Sequence, residues 1–269
     1  MILPSLPLIV LTDLDGTLLD HDNYDYRAAM PALACLRQFH IPCIFNSSKT
    51  FDEMLPLRES MNNHDPFVSE NGGAVFIPKE GSAVFHSEMT GSSYNSILNV
   101  LQLLREQGFR FRGFHDMSDQ EVADITGLKP EEATLARRRH ASEPIIWEDD
   151  ELRLSEFLSI LSCHNLRMLK GGRFIHVMGS NDKSEAVTFF RDYYQTLWDQ
   201  EIRVIALGDG DNDLAMLESA DYPIVIPGKN NTLKPENPAT RFAEKPGPAG
   251  WNDTLLALLN DLTKEVNRG

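Results

Sequence analysis

The sequence predicts an α/β fold: a doubly wound, Rossmann-like parallel sheet carrying an inserted α+β module. Three observations point there. Apolar runs at about 8–12, 41–46, 66–69, 203–207 and 222–226 alternate with helical patterns near 27–39, 183–198, 213–220 and 251–265, as in a parallel sheet covered by helices on both faces. Acidic, glycine-containing turns follow two of those runs. Between them, roughly 82–178 keeps a rhythm of its own. The expected organisation is 1–81 core, 82–178 insert and 179–269 core.

The first strand is Leu8-Ile9-Val10-Leu11, an apolar run of buried-strand type. Asp13-Leu14-Asp15-Gly16-Thr17-Leu18 follows, at the carboxyl edge where open α/β sheets bind ligands. Two acids one residue apart repel each other. A divalent cation removes that cost, and magnesium prefers such oxygen ligands. Gly16 lets the backbone turn sharply. The plain alternative is an ordinary Asp/Gly turn. After the apolar run Ile41–Phe45 comes Asn46-Ser47-Ser48-Lys49-Thr50. Its hydroxyls, amides and cation suit a phosphate, although such loops also cap helices.

Lys183 opens a helical run, where its charge opposes the helix dipole. An anionic partner would offset that, and a solvated lysine is the alternative. The strand-like Arg203–Leu207 leads into Gly208-Asp209-Gly210-Asp211-Asn212-Asp213 and then a helix. Asp211 and Asp213 share the spacing of a calcium loop, but that loop needs a Glu at its twelfth position and a preceding helix. These acids instead complete the cation site begun by Asp13 and Asp15. Helix capping accounts for one of them, not all three.

Inside the insert, Ser92–Gln107 is helical by the spacing of Ile97, Leu98, Leu101 and Leu104. Ser118-x-x-Glu121 is a capping box opening a second helix, and Pro130 sits at a favoured first-turn position of a third. Ile145–Trp147 and Phe174–Val177 read as strands, with Glu151–Cys163 helical between them. Arg137–Arg139 forms a cationic run within a helix, whose members point in different directions. Glu70 and Asn71 are read equally as site lining or as turn residues. Gly81 and Gly179 mark hinge neighbourhoods, and Arg241–Gly250 reads as a loop.

With 269 residues, 42% of them hydrophobic, the chain can bury a substantial core. A formal charge of −15 argues against nucleic acid. It also repels anionic substrates at long range, so local cations must attract them: a metal, Lys49, Lys183, Lys170 and Arg173. Cys35, Cys43 and Cys163 lack metal spacing and fit a reducing compartment. No run reaches membrane-spanning length and the apolar N-terminal stretch lacks signal-peptide features. The expectation is a cytoplasmic protein with no nucleic-acid or membrane partner.

Taken in order, Asp13-x-Asp15-Gly16-Thr17, Ser47, Lys183 and Gly208-Asp209-x-x-Asn212-Asp213 resemble the four motifs of the haloacid dehalogenase superfamily. The distance from Ser47 to Lys183, Ser69-Glu70-Asn71-Gly72-Gly73, and Gly179-x-x-x-Lys183-x-x-Ala186 resemble its cap-bearing subgroup. A narrower resemblance, to the mannosyl-3-phosphoglycerate phosphatase family, rests on Asn46–Thr50, Phe114–Val122, Thr126-Gly127-Leu128, Ala136–Arg139 with Glu143-Pro144, and Lys170–His176. The residues around Ala215 and Met216 are closer to general cap-bearing members.

The resemblance implies a Mg²⁺-dependent phosphomonoesterase whose substrate is a small phosphorylated sugar-glycerate. Asp13 is then the nucleophile and Asp15 the general acid and base. The metal ligands are Asp13, Asp15 through its carbonyl, Asp209 and Asp213. Ser47, Ser48, Lys183 and Asn212 bind phosphate, and Lys170, Arg173 and His176 of the cap meet the rest of the substrate. Asp116 and Asp119 are further candidates for sugar hydroxyls, with Asp119 equally well explained as first-turn helix charge. The alternatives are a broader sugar phosphatase, a sugar phosphomutase, or a metal-binding regulatory protein that keeps the fold without turnover. The intact set of motif residues counts against the last.

Overall fold

The computed structural model describes residues 7–79, 84–170, 174–228 and 233–266. In chain order its elements are β1 (Leu8–Thr12), α1 (Met30–Gln38), β2 (Cys43–Asn46), α2 (Phe51–Ser60), β3 (Phe67–Ser69), β4 (Ala74–Pro78) and β5 (Phe85–Met89). Then follow α3 (Tyr94–Glu106), β6 (Phe111–Gly113), α4 (Asp119–Thr126), α5 (Pro130–Arg137), β7 (Ser142–Trp147), α6 (Glu151–Cys163), β8 (Leu166–Lys170) and β9 (Ile175–Gly179). The chain ends with α7 (Lys183–Trp198), β10 (Arg203–Gly208), α8 (Leu214–Glu218), β11 (Tyr222–Val225), β12 (Arg241–Phe242) and α9 (Gly247–Val266). These elements divide between two compact units. One holds residues 1–47, 65–67 and 182–269, the other 48–64 and 68–181.

The first unit is the parallel sheet read from the sequence. Its strands run β12-β11-β10-β1-β2, all parallel. The chain leaves β1 through β2 on one side and resumes at β10 on the other, so the strand order reverses between β1 and β10. That reversal is the crevice position where α/β sheets bind ligands. Every residue of β1 is buried, as expected of a strand covered on both faces. Two helix pairs pack in this unit, α1 with α9 and α7 with α8. Trp251 of α9 is fully buried, and its indole N–H donates to Thr12 Oγ1 at 2.9 Å.

The second unit has the α+β character expected of the insert. Its four-stranded antiparallel sheet runs β6-β7-β9-β8. One core joins Ile97, Leu101 and Leu104 of α3 with Ile145, Val177, Phe157 and Leu161. A second gathers α4 and α5 around Phe114, Val122 and Ala133. The Ser118–Glu121 capping box forms, with Gly127 left-handed beyond the helix. This unit also contains the β4–β5 hairpin and α2.

Several elements depart from the sequence reading. Strands β4, β5, β6 and β8 and helix α2 are not among the elements read from the sequence. Helix α2 holds an internal Pro56 and is secured by the Thr50–Glu53 capping box. Strand β8 alternates Leu and Met with Arg167 and ends on Lys170, the charged dressing of a sheet edge. The stretch read as a loop over Arg241–Gly250 instead contains β12 and the first turn of α9, where Pro248 loses no intrahelical bond. Helix α5 ends at Arg137, so Arg138 and Arg139 lie beyond it. Gly81 lies outside the described residues.

Phe157 is fully buried and makes edge-on ring contacts with Phe109, Phe111 and Trp147. Phe157→Ala is expected to cost about 3–5 kcal/mol of stability, measured by denaturant unfolding. A loss below about 1 kcal/mol would contradict this core assignment.

Candidate active site

Strand register builds the site. Thr12 pairs with Phe45 of β2 and with Leu207 of β10, so all three carboxyl ends come level. The next residues, Asp13, Asn46 and Gly208, therefore share one edge, and Asp13 N–H donates to the Leu207 carbonyl at 2.9 Å. Helix α7 begins at Lys183, capped by the Asp182 carboxylate on Ser184 N–H at 2.7 Å. Asn46 donates its side-chain amide to the Lys183 carbonyl at 3.0 Å, tying that helix start to β2.

Lys183 is fully buried, and its ammonium donates to two carboxylates: Asp13 Oδ1, and Asp213 Oδ1 at 2.7 Å. Burial opposes the charge, but the two carboxylates outweigh it and hold Lys183 above the ordinary lysine range. Asp213 Oδ2 accepts the N–H groups of Asp209 at 3.1 Å and Gly210 at 3.0 Å. Thr17 donates its hydroxyl to Asp209 Oδ1 at 2.8 Å.

Two glycines make the close approach possible. Gly16 has φ +90°, and a Cβ there would lie 2.6 Å from Asp209 Oδ2. A Cβ on Gly208 would lie 2.4 Å from the Asp213 Cβ.

Charge in the site is unbalanced. Burial pushes Asp13 well above the ordinary carboxylate range. Lys183 opposes that shift, whereas Asp213, Asp209 and Asp15 reinforce it. Burial, and then Asp213, raise Asp209 to about 6. One ammonium does not neutralise this many acids. Ligand oxygens of Asp13, Asp209 and Asp213 lie within 4.8 Å of one another. Hard oxygens at that spacing, carrying excess negative charge, suit a small divalent cation.

Other residues singled out from the sequence distribute as follows. Asp15 is half-buried and forms a backbone bridge with Leu19. Ser47 is fully buried directly after β2, and Ser48 is half-buried. Asn212 is half-buried in the short 3₁₀ turn Asp211–Asp213, whose Asp213 supplies the bond to Lys183. Arg173 lies outside the described residues. Lys170 pairs with Ile175 and Leu169 with His176, so alternation puts Lys170 and His176 on opposite sheet faces. They do not converge as a cap pair. Lys170 is exposed on the face of Ile175, which packs on the α3–α6 core.

The acidic and basic residues of the insert have partners of their own. Asp116 accepts from Arg105 and from Gly113 N–H. Asp119 accepts from Arg137 and from the Thr134 hydroxyl. Arg138 pairs with Asp52 at 3.0 Å. Glu70 and Asn71 are left-handed turn residues, with φ of +52° and +56°, so the turn reading holds for their backbone. The sequence motifs assign no task to Thr17, Asn46 or Trp251. Thr17 belongs to a motif that could have flagged it, but Trp251 acts through distant packing that no local pattern records.

The chain belongs to the haloacid dehalogenase-like hydrolase family, whose sequence model matches residues 10–239. Two curated relatives share its length. A protein of Methanococcoides burtonii is 38% identical over 93% of this chain and 97% of its own. One of Persephonella marina is 32% identical over 96% and 99%. Both are named glucosyl-3-phosphoglycerate/mannosyl-3-phosphoglycerate phosphatase.

Among solved structures, a Thermoplasma acidophilum protein aligns with TM-score 0.68 at 16% identity, over 96% of this chain and 99% of that one. Another, from Bacteroides thetaiotaomicron and described among phosphatases of the superfamily, gives 0.67 at 18% over 96% and 95%. Those two likenesses concern the fold. No helix among the described residues is long and apolar enough to cross a membrane.

Gly16→Ala is expected to drive a Cβ into the Asp209 carboxylate and to strain a positive φ. Divalent-metal binding measured by calorimetry should fall at least about tenfold, the equivalent of roughly 1.4 kcal/mol. Wild-type metal affinity in this variant would contradict the site geometry.

Proposed function

We propose that this protein is a Mg²⁺-dependent phosphomonoesterase that hydrolyses mannosyl-3-phosphoglycerate to mannosylglycerate and phosphate in the cytoplasm. The observation that carries the reading is the Lys183 ammonium held between Asp13 and Asp213 at the strand-order reversal. Near-full-length similarity to two phosphatases of that name supports the substrate. Because both relatives carry a double name, glucosyl-3-phosphoglycerate is the second substrate to test.

Asp13 attacks the phosphorus. A phosphorus–oxygen bond forms on its carboxylate as the ester bond to the leaving alkoxide breaks. Asp15 gives that alkoxide a proton. Asp15 then takes a proton from water, which attacks the aspartyl-phosphate phosphorus, releases inorganic phosphate and restores Asp13. Lys183 and Ser47 hold non-bridging oxygens and offset the charge developing on them.

Asp13, Asp209 and the Asp15 carbonyl would hold Mg²⁺. Asp213, already bonded to Lys183 and to two backbone amides, supports them. When bound, Mg²⁺ supplies positive charge that shields the nucleophile from the anionic phosphoryl group.

The insert, taken as 82–178, serves as a specificity cap. His176 is its best-supported contact for the glycosyl-glycerate portion. It is half-buried in β9, and its enclosed Nδ1 has no hydrogen-bond partner among the described residues. Burial, with Arg139 second, pushes its pKa down to about 3. It is therefore neutral at working pH and offers one donor and one acceptor to hydroxyls.

Asp13→Asn is expected to abolish phosphate release, whereas Asp15→Asn slows it and keeps metal binding. Phosphate release with Mg²⁺ from the mannosyl and glucosyl compounds, 3-phosphoglycerate and mannose 6-phosphate tests the substrate. A flat profile would overturn it.

The histidine also has a stability signature. Unfolded His176 binds a proton near pH 6.5 and the folded residue does so only near 3, so its contribution is lost as pH falls between those values. His176→Leu should reduce the stability lost between pH 7 and 4.5 by roughly 2 kcal/mol. Equal losses in both proteins would contradict a neutral, half-buried His176.

A further inference from the structure

Strand β5 of the second unit is the outer member of the β4–β5 hairpin. Among the described residues β4 is the one strand that pairs with it, in antiparallel register from Ala74 opposite Met89 to Pro78 opposite Phe85. His86, Ser87, Glu88, Met89 and Thr90 are all exposed. An exposed sheet edge is a template for another strand, and natural edges are commonly blocked by Pro, Lys or a bulge. The stretch Phe85-His86-Ser87-Glu88-Met89 carries neither Pro nor Lys, and its register with β4 runs without a bulge.

Alternation fixes which backbone groups face outward. Lys79 N–H donates to the Val84 carbonyl at 3.0 Å, and Thr90 N–H to the Gly73 carbonyl at 3.2 Å. In an antiparallel pair, residues bonded to the partner strand recur at every second position. Positions 84, 86, 88 and 90 therefore face β4, and Ser87 directs its N–H and C=O away from it. The side chains of His86 and Glu88 stand on one face of the strand, and those of Phe85, Ser87 and Met89 on the other.

This stretch is complementary to itself. Laid antiparallel to a second copy about a two-fold axis at Ser87, each Ser87 can exchange both backbone bonds with the other. His86 then falls opposite Glu88 of the second copy, and Glu88 opposite its His86. Those are the non-hydrogen-bonded positions of the new ladder, where Cα atoms approach to about 4.5 Å and side chains come closest. An imidazole N–H can donate to a carboxylate whether the ring is neutral or charged. The Phe85 side chain falls opposite that of Met89. An axis at His86 or at Glu88 would set like residues against each other, which is unfavourable for carboxylates. An axis at Phe85 or Met89 would oppose His86 to Val84, or Glu88 to Thr90, and forgo the charge pairs.

We infer that β5 is a homodimer interface, where a second copy of this chain adds its own β5 antiparallel and centred on Ser87. The contact is isologous, so it closes at two copies. A pairing this short lies at the small end of specific interfaces, with a dissociation constant on the order of 10–100 μM. Strand β5 carries none of the residues assigned to catalysis or metal binding, so assembly and chemistry can be altered separately.

Sedimentation velocity of the full chain from about 5 to about 500 μM tests the inference, with thermal unfolding measured at the lowest concentration. The wild type should pass from monomer to dimer within that range. Ser87→Pro removes the outward N–H without breaking a bond to β4, and should stay monomeric with wild-type unfolding. His86→Glu sets carboxylates opposite each other twice and should weaken the dimer on the order of tenfold. Adding Glu88→Lys to that variant restores opposite charges and should recover most of the loss. If Ser87→Pro fails to fold, the charge reversal and its rescue decide. A monomer at every concentration would overturn the inference. So would a dimer indifferent to these variants, which would place the contact elsewhere, or assembly that grows beyond two copies.

Discussion

The site depends on one buried ammonium. Lys183 lies between Asp13, which follows β1, and Asp213, which follows β10. Those two strands are neighbours where the strand order reverses. Without the lysine, two buried carboxylates would face each other unpaired, and removing one partner of such a group is strongly destabilising. The interaction therefore fixes three separate stretches of sequence at one edge. The Asn46 side chain holds the backbone of the same lysine, and Asp213 returns its second oxygen to the loop that carries Asp209. Catalytic geometry and loop structure share the same bonds.

The remaining charge imbalance gives the site its chemistry. Asp13 and Asp209 are both held above ordinary carboxylate behaviour, chiefly by burial. A structure that tolerates this without a further cation is hard to rationalise on stability alone. A divalent ion would supply the compensating positive charge and let an anionic phosphoryl group approach. Phosphoryl transfer asks mainly for positioning and charge neutralisation; the side chains at this edge give the positioning, and Lys183 with a bound cation would give the charge.

The sheet and the acidic edge of the candidate site were largely legible in the sequence, because each rests on short-range signals. Apolar runs mark buried strands, and Asp-x-Asp-Gly-Thr and Gly-Asp-x-x-Asn-Asp mark the turns after β1 and β10. What was not legible depends on long-range pairing. Strand β8 becomes a strand only because β9 pairs with it. The same pairing separates Lys170 from His176, which look like neighbours of a single cluster in the linear sequence. Arg137, Arg138 and Arg139 form one cationic run in the sequence, yet each has a different partner. Only the fold distinguishes the surface pair from the buried one.

The central claim is that the carboxylate gripped by Lys183 becomes covalently phosphorylated. Rapid quenching during the first turnover of mannosyl-3-phosphoglycerate labelled at the phosphorus, followed by proteolysis, tests it directly. The account predicts a transient, base-labile label confined to the peptide bearing Asp13 and absent from Asp13→Asn. Product formation at the wild-type rate with no protein-bound label at any time, or a label on another residue, would contradict it.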